Sequence, residues 1–248
     1  MSENIDNVDK DNVDKHDTNM SNMSMDDTDM DDINIDDLDA DDIIEIVEWK
    51  TPATDYPEKE FGGARISRGK YTTGFYHNYG VRGYEFFWVD KPIDITSLEI
   101  KGDSGEWKTW MVDDPPHFWS MQNYAKNSYG KVLIAGLGLG LVTGELLNNA
   151  DVDSVTVIER SKDVIGLISP LLPMDIGNTR LDIKNEDFYK FINETHEKFD
   201  RIIVDLWVTG SAEETLRVLN EEVRPLSFYI MKLFPDASVV FHGFGLSW

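Results

Sequence analysis

The chain has 248 residues, of which 41% are hydrophobic and 11% aromatic, and it contains no cysteine. This composition allows one substantial core or two modest ones, while the missing cysteines exclude disulfides, thiolate metal sites and thiol nucleophiles. The net charge of −24 disfavours nucleic acid and anionic membrane surfaces as partners. Because there is neither an apolar run of about eighteen residues nor a basic and apolar leader, we expect no membrane segment and a cytoplasmic location.

Residues 1–45 form an acidic segment of low complexity, which opens with a pentapeptide repeated at 6–10 and 11–15. Its 17 acidic residues and 2 lysines give −15 of the total charge of −24. Such a segment buries too little apolar surface to offset its chain entropy, so the sequence predicts a disordered acidic tail. Paired aspartates such as Asp36 and Asp37 could suggest calcium, but the central Gly and final Glu of a calcium loop are missing, and we expect no bound metal.

Residues 46–124 are predicted to form a small antiparallel β module with a linker. Aromatic and β-branched runs alternate there with Gly and Pro, which is typical of short strands separated by turns. Pro115-Pro116 then stiffens the exit, and a linking helix is predicted over Phe118–Lys126. The predicted strands are Ala64–Arg68, Lys70–His77, Tyr84–Val89, Ser97–Ile100 and Trp107–Val112.

Residues 125–248 change to apolar runs that alternate with amphipathic stretches, the pattern of βαβ units around a parallel sheet. The fold class predicted is therefore α/β, a Rossmann-like, doubly wound and mostly parallel sheet. Ser211 and Glu214 are spaced as a capping box, and Pro225 stands near the start of a further helix. The predicted strands are Lys131–Ala135, Ser154–Ile158, Arg180–Ile183, Arg201–Val204 and Ser238–His242, and the other predicted helices are Leu141–Asn148, Lys162–Ile168 and Phe188–Ile192.

A glycine-spaced turn, Gly136-Leu-Gly138-Leu-Gly140, follows the first of these strands directly. Glycine permits positive φ angles and a close approach of backbone N–H groups to a ligand, and the next helix start adds partial positive charge. The alternative is that the glycines only permit close packing of strand and helix. The G-x-G-x-x-G pattern of dinucleotide sites would need glycine where Leu141 stands, which favours S-adenosylmethionine over NAD.

Glu159 ends the second strand, nineteen residues after Gly140. A carboxylate at that place can accept hydrogen bonds from both ribose hydroxyls of an adenosine group. The alternative is an ordinary solvated strand end, paired with Arg160.

With these motifs the sequence resembles the class I S-adenosylmethionine-dependent methyltransferase superfamily, and within it the spermidine synthase-like branch. The resemblance depends on the glycine turn, Val157-Ile-Glu159-Arg, Asn185-Glu-Asp187-Phe and Ile203-Val-Asp205-Leu, in that order. It implies S-adenosylmethionine, or its decarboxylated form, as cofactor. The residues it implies for the cofactor site are Gly136, Leu137, Gly138, Gly140, Glu159, Arg160, Asp187 and Asp205.

Two aspartates have roles implied by this resemblance. Asp187 would lie beside the adenine amino group, although an Asp just before Phe188 is also a competent helix N-cap. Asp205 would face the reacting centre, because strand ends of open α/β sheets form the ligand crevice. As a catalytic residue it would either accept a proton from an amine nucleophile or fix the direction of the amine lone pair. His117, Gln122 and Trp207 are the candidate contacts of a small-molecule acceptor.

The sequence leaves three functions open. Methyl transfer to a small molecule comes first, on the breadth of the family. Aminopropyl transfer to a polyamine comes second, because Leu137 and Leu139 stand where spermidine synthases usually carry an Asp and Leu206-Trp207 replaces a polar run with proline. A non-catalytic cofactor-binding or interaction protein is the third.

The resemblance also predicts a missing element. A full family sheet continues into an antiparallel hairpin after the fifth strand, and we expect that hairpin to be lacking here. Ser238–His242 would then be an exposed edge that the β module or a second subunit covers, which predicts a possible homodimer.

Overall fold

The first half of the chain folds into seven strands, of which the first begins inside the segment predicted as a disordered tail. The computed structural model describes residues 43–80, 83–173 and 179–248. Residues 1–42 of the predicted tail lie outside them, whereas residues 43–45 belong to a strand. The strands are β1 (Ile43–Ile46), β2 (Lys59–Phe61), β3 (Ala64–Tyr71), β4 (Gly74–Gly80), β5 (Gly83–Val89), β6 (Ile93–Lys101) and β7 (Trp107–Val112).

These strands form two sheets rather than one. The first is antiparallel, as expected, with the order β2-β3-β6-β7, and the second has the order β1-β5-β4 with β1 parallel to β5. The strand predicted over Lys70–His77 is wrong in one respect, because the chain turns at Thr72 and Thr73 between β3 and β4. β3 pairs with β6 and β4 pairs with β5, so this stretch contributes one strand to each of the two sheets.

The second half alternates strands and helices from residue 115 onward. Asp114 caps the first helix by accepting a hydrogen bond from the backbone N–H of His117, and proline occupies the first helical turn. The elements are α1 (Pro115–Lys126), β8 (Gly130–Ala135), α2 (Leu141–Leu147), β9 (Val152–Glu159), α3 (Lys162–Ile168), β10 (Arg180–Asn185), α4 (Phe188–Glu194), β11 (Arg201–Val204), α5 (Ala212–Val218), α6 (Arg224–Leu233), β12 (Ser238–Phe241) and β13 (Leu246–Ser247). A 3-10 turn, Ser169–Leu171, follows α3, and a π-helical segment, Leu219–Val223, joins α5 to α6.

The sheet of the second half has the order β10-β9-β8-β11-β12-β13, and its first five strands are parallel. The strand order reverses between β8 and β11, and ligands of open α/β sheets bind outside the strand ends at such a point. The predicted fold class is confirmed: the chain is an α/β protein with a mostly parallel sheet and a small antiparallel sheet module.

The expectation that Ser238–His242 forms an exposed edge is wrong, because one short strand, β13, lies beside β12. β13 pairs with β12 in antiparallel orientation, with Phe241 opposite Leu246. The backbone N–H groups of Val239 and Trp248 also donate to each other's carbonyl oxygens, at 2.8 and 3.1 Å. The outer edge of β12 is therefore covered within the chain, and no second subunit is needed to cover it.

The two faces of the large sheet pack against different partners. On one face, α1, α2, α3 and the β module share one hydrophobic core, which includes Ile66 and Leu98 from the module and Ile134 from β8. On the other face, α4, α5 and α6 cover a second core around Leu133 and Phe241. Among the helices of the described residues, none is long and apolar enough to cross a bilayer.

Candidate nucleotide site

The ends of β8 and β11 meet at the crevice where the strand order reverses. Gly136 follows β8 and Asp205 follows β11, and the Asp205 backbone N–H donates to the carbonyl of Ala135 at 3.0 Å. Gly136 has φ 95°, and a Cβ there would lie 2.3 Å from the Asp205 carbonyl oxygen. No other residue fits without moving one strand end, so close packing is one reason for glycine at this position.

The middle of the glycine turn lies against a methionine of the β module. A Cβ on Gly138 would lie 2.2 Å from the Met111 sulfur, and the backbone N–H of Leu139 donates to that sulfur at 3.0 Å. A thioether is a weak acceptor, so the oxygen of a ligand would bind this N–H more strongly. Met111, from β7, is thus a residue of the site that the sequence did not indicate, because strand pairing over long range brings it there.

Glu159 is held against the glycine turn by two backbone hydrogen bonds. Its Oε2 accepts from the N–H of Leu137 at 2.9 Å, and its Oε1 accepts from the N–H of Ser161 at 2.7 Å. Both carboxylate oxygens are therefore fixed by backbone donors rather than by the neighbouring Arg160. Each oxygen keeps further lone-pair capacity, so the carboxylate can still accept from a pair of hydroxyls.

Asp187 caps α4, because its Oδ1 accepts from the backbone N–H of Lys190 at 3.0 Å. The helix N-cap, which the sequence offered as the alternative role of Asp187, is thus observed. Asp187 also lines the same open cleft as Gly136, Gly138, Glu159 and Arg160, and contact with an adenine ring stays a prediction. Leu137, another residue predicted at the cofactor site, has a buried side chain, and its backbone N–H donates to Glu159.

Asp205 lines the cleft beside two histidines and a tyrosine. Burial raises the pKa of its carboxyl, and His242 acts in the opposite direction. The ring of His242 lies 4.8 Å from that of His117, centroid to centroid, and its Nδ1 is 3.3 Å from the hydroxyl oxygen of Tyr124. Tyr124 and His242 reach the site from α1 and the end of β12, a juxtaposition that their sequence positions do not indicate.

His117 lines this cleft as predicted, in the first turn of α1. Burial, and then the charge of His242, hold the pKa of its imidazole well below 6.5, so the ring is neutral. Its Nε2 is buried with no hydrogen-bond partner among the described residues. A ligand in the cleft could supply that partner, which would make the residue an acceptor contact.

Trp207 and Gln122, the other two candidate acceptor contacts, lie in different places. Trp207 lines the cleft; its Nε1 donates to Glu222 at 2.7 Å, and its ring stacks on Phe241 with centroids 6.2 Å apart. Gln122 is exposed on α1 and bonds Glu145 of α2, outside the cleft. The expectation for Gln122 does not agree with the structure, because the helical turn directs it towards α2 rather than towards the sheet.

The cleft brings three of the predicted features together. A glycine-spaced turn crosses the strand ends, the Glu159 carboxylate is held against that turn from the neighbouring strand, and the half-buried Asp205 lines the same cleft. Fold and crevice together define a class I S-adenosylmethionine-dependent methyltransferase-like domain.

Within that class, residues 119–223 match the spermine/spermidine synthase domain. The match confirms the resemblance to the spermidine synthase-like branch, and it contains the glycine turn, Glu159, Asp187, Asp205 and Trp207. His117 and His242 lie outside the matched range.

Individual relatives agree with this domain match. A polyamine aminopropyltransferase of Sulfurisphaera tokodaii is 34% identical over 109 residues, which cover 41% of this chain and 36% of that protein. A spermine synthase of Saccharomyces cerevisiae is 34% identical over 91 residues, 33% of this chain and 30% of that protein. The chain thus spans about a third of the length of the curated relatives it matches. Among solved structures, the spermidine synthase of Thermotoga maritima aligns with a TM-score of 0.34 at 15% identity, over 54% of this chain and 55% of that one.

Proposed function

We propose that the chain is a transferase of the spermine/spermidine synthase type, which moves an aminopropyl group from decarboxylated S-adenosylmethionine to an amine acceptor. The observation that carries the proposal is the domain match over residues 119–223, whose range contains both the glycine turn and Asp205. The curated relatives are named as aminopropyltransferases or a spermine synthase. Methyl transfer, which the sequence placed first, has no comparable support from these relatives.

The donor would be held by the chain's own residues at the carboxyl ends of β8, β9 and β10. Glu159 offers a carboxylate to the ribose, and the backbone of the glycine turn at Gly136 and Gly138 lines the same cleft. When bound, the donor supplies a carbon activated by the adjacent sulfonium. Substitution at such a carbon gains mainly from the position and direction of the nucleophile.

The charge of the cleft near Asp205 suits a cationic acceptor. The lining on that side includes the carboxylates of Asp205, Glu214 and Glu222. Arg217, a basic residue of the same side, is 3.3 Å from Glu221 and is therefore partly neutralised. A protonated amine would find attraction there, and cleft walls of low dielectric strengthen such attraction.

Asp205 is the residue proposed to act on the acceptor amine. An amine attacks only as the free base, so a group that removes its proton is needed next to the reacting carbon. Burial raises the pKa of Asp205, which makes the carboxylate a stronger proton acceptor than an exposed aspartate. The same carboxylate could instead hold the amine by a hydrogen bond, and the size of the rate loss in Asp205→Asn separates the two roles.

Titration calorimetry of the full chain with decarboxylated S-adenosylmethionine, S-adenosylmethionine and S-adenosylhomocysteine tests the proposal. We expect the decarboxylated ligand to bind most tightly and, with putrescine or spermidine present, to yield an aminopropylated product by mass spectrometry. Tighter binding of S-adenosylmethionine with a methylated product would replace aminopropyl by methyl transfer. A folded chain that binds none of the three would be an interaction protein.

A further inference from the structure

Arg201 is a buried arginine with no acidic partner among the described residues. It opens β11, where the next three residues are apolar and fully buried, and it is 8% exposed. No carboxylate of the described chain lies within ion-pair distance of its guanidinium. Burial lowers the pKa of Arg201, but an arginine remains charged in proteins. A buried charge without a counterion is destabilising unless something compensates it.

The guanidinium also has unused hydrogen-bonding capacity. Its Nη1 donates to the hydroxyl of Ser238, which is the residue beside it on β12, whereas its Nε is buried without any partner in the described chain. The Nε edge of a guanidinium presents parallel N–H donors that match the two oxygens of a carboxylate or phosphate. Charged side chains that are buried without an ionic partner often belong to functional sites.

Arg201 and Ser238 both line the large cleft, which also has neutral polar side chains in its lining. These include Asn123 and Tyr124 of α1, Asn127 at the end of that helix and Ser247 of β13. Tyr124 and Tyr129 lie close enough to oppose the lowering of the Arg201 pKa. Hydroxyl and amide groups can complete the coordination of an oxyanion, and none of them supplies the missing negative charge at neutral pH.

We infer that Arg201 is the centre of an anion-binding pocket, which takes the carboxylate or phosphate group of a small molecule. Asp205 directly follows β11, four residues after Arg201, and the rise of an extended chain puts about 13 Å between the two residues. The pocket is therefore separate from the reacting centre, and Tyr124 contributes to the electrostatics of both. The inference does not depend on which group the chain transfers.

Thermal unfolding of the full chain in sodium phosphate, sodium acetate and sodium chloride of equal ionic strength tests the pocket. We expect phosphate or acetate to raise the midpoint by a few degrees in a saturating manner, because an anion that binds only the folded state stabilises it. The anion that saturates at lower concentration identifies the oxyanion class. A general salting effect would instead grow steadily with concentration.

Arg201→Met should abolish the saturating rise and leave the midpoint in chloride unchanged or higher, since the unpaired charge is gone. The control is Arg217→Met, at an exposed arginine paired with Glu221, which should keep the full rise. Should Arg201→Met not fold, Ser238→Ala keeps the charge and should weaken anion binding about three- to tenfold, because the guanidinium loses the hydrogen bond that fixes its direction. A rise that persists in Arg201→Met, an unchanged affinity in Ser238→Ala, or no difference between the anions in the wild type would each overturn the inference.

Discussion

The Glu159 carboxylate connects two backbone segments before any ligand is considered. It accepts from Leu137 in the glycine turn and from Ser161 at the start of α3. A ligand hydroxyl would therefore meet a carboxylate whose orientation is already fixed, and little ordering entropy remains to be lost on binding. This preorganisation makes a single substitution informative about the nucleotide site.

Glu159→Ala should weaken binding of the adenosyl ligand by roughly 10- to 100-fold, the range expected for losing charge-assisted hydrogen bonds. Calorimetry well below the unfolding temperature measures the affinity, and circular dichroism verifies the fold. Asp153→Ala, at an exposed position of the same strand, is the matched control and should bind as the wild type does. Equal affinities in both variants would mean that Glu159 does not hold the ribose.

Asp205→Asn should lower the turnover number by roughly 10²–10⁴-fold if the carboxylate is the proton acceptor, with donor affinity nearly unchanged. Because burial raises its pKa above 3.8, the wild-type rate should increase with pH through that raised pKa, and the variant should lose this acidic limb. If Asp205 only orients the amine, the amide oxygen of the variant can still accept a hydrogen bond, and the rate should fall by no more than about tenfold. Asp236→Asn, on an exposed turn, is the control.

The site residues that the sequence indicated are those with a local signature. Glycine spacing and a carboxylate at a strand end are visible along the chain, and the structure brings Gly136, Glu159 and Asp205 to one crevice. Met111 and His242 carry no such signature, because the pairing of β7 with β6 and of β12 with β11 places them beside the glycine turn and Asp205. Long-range register of this kind depends on the whole sheet, not on neighbouring residues.

At the scale of elements, agreement is best where a cap or a run of apolar residues bounds the segment. Lys162–Ile168 begins after the Ser161 cap, and Arg201–Val204 is a fully buried run; both have the predicted bounds. The strands that were not predicted are β1, β2 and β13, which are two to four residues long, and β1 pairs with a strand some forty residues away. The two-sheet arrangement of the β module was missed for the same reason.

The cap of α1 gives a prediction about pH. Asp114 accepts from the His117 N–H and from the Tyr71 hydroxyl, at 3.3 and 3.2 Å, yet burial raises its pKa from 3.8 to about 6. The folded state therefore holds this proton more tightly than the unfolded state does. The contribution of Asp114 to stability is full below about pH 4 and is lost as the pH rises through about 6.

Asp114→Asn keeps an oxygen that can cap α1 and removes the buried charge. We expect the variant to be more stable than the wild type at pH 7, by at most about 3 kcal/mol, and to lack the decline between pH 4 and 6. Urea unfolding at pH 4, 5, 6 and 7 measures both. Asp94→Asn, at an exposed residue paired with Lys70, should leave the pH dependence unchanged. A variant less stable than the wild type at pH 7 would show that the charge favours the cap.

At the scale of the whole molecule, the β module is not independent of residues 125–248, which are predicted to be an S-adenosylmethionine-type nucleotide-binding domain and are called the nucleotide domain below. The division at residue 124 follows composition, but the core on one face of the large sheet contains Ile66 and Leu98 of the module together with Ile134 and Val164. A hydrogen bond of 2.8 Å also joins the Gly63 N–H to Asp163, at the start of α3. Separation of the two parts would expose these buried apolar side chains to water.

The shared core predicts one cooperative unfolding transition for the full chain. Scanning calorimetry should give equal calorimetric and van't Hoff enthalpies, because neither part can lose its packing while the other keeps it. A fragment of residues 125–248 should lack a sharp transition, since it loses Phe118 and Met121 of α1 along with the module. Glu58→Ala, at an exposed position of the module outside this core, should leave a single transition in the full chain. Two resolved transitions, or a fragment that unfolds cooperatively near the temperature of the full chain, would mean that the nucleotide domain is stable without the β module.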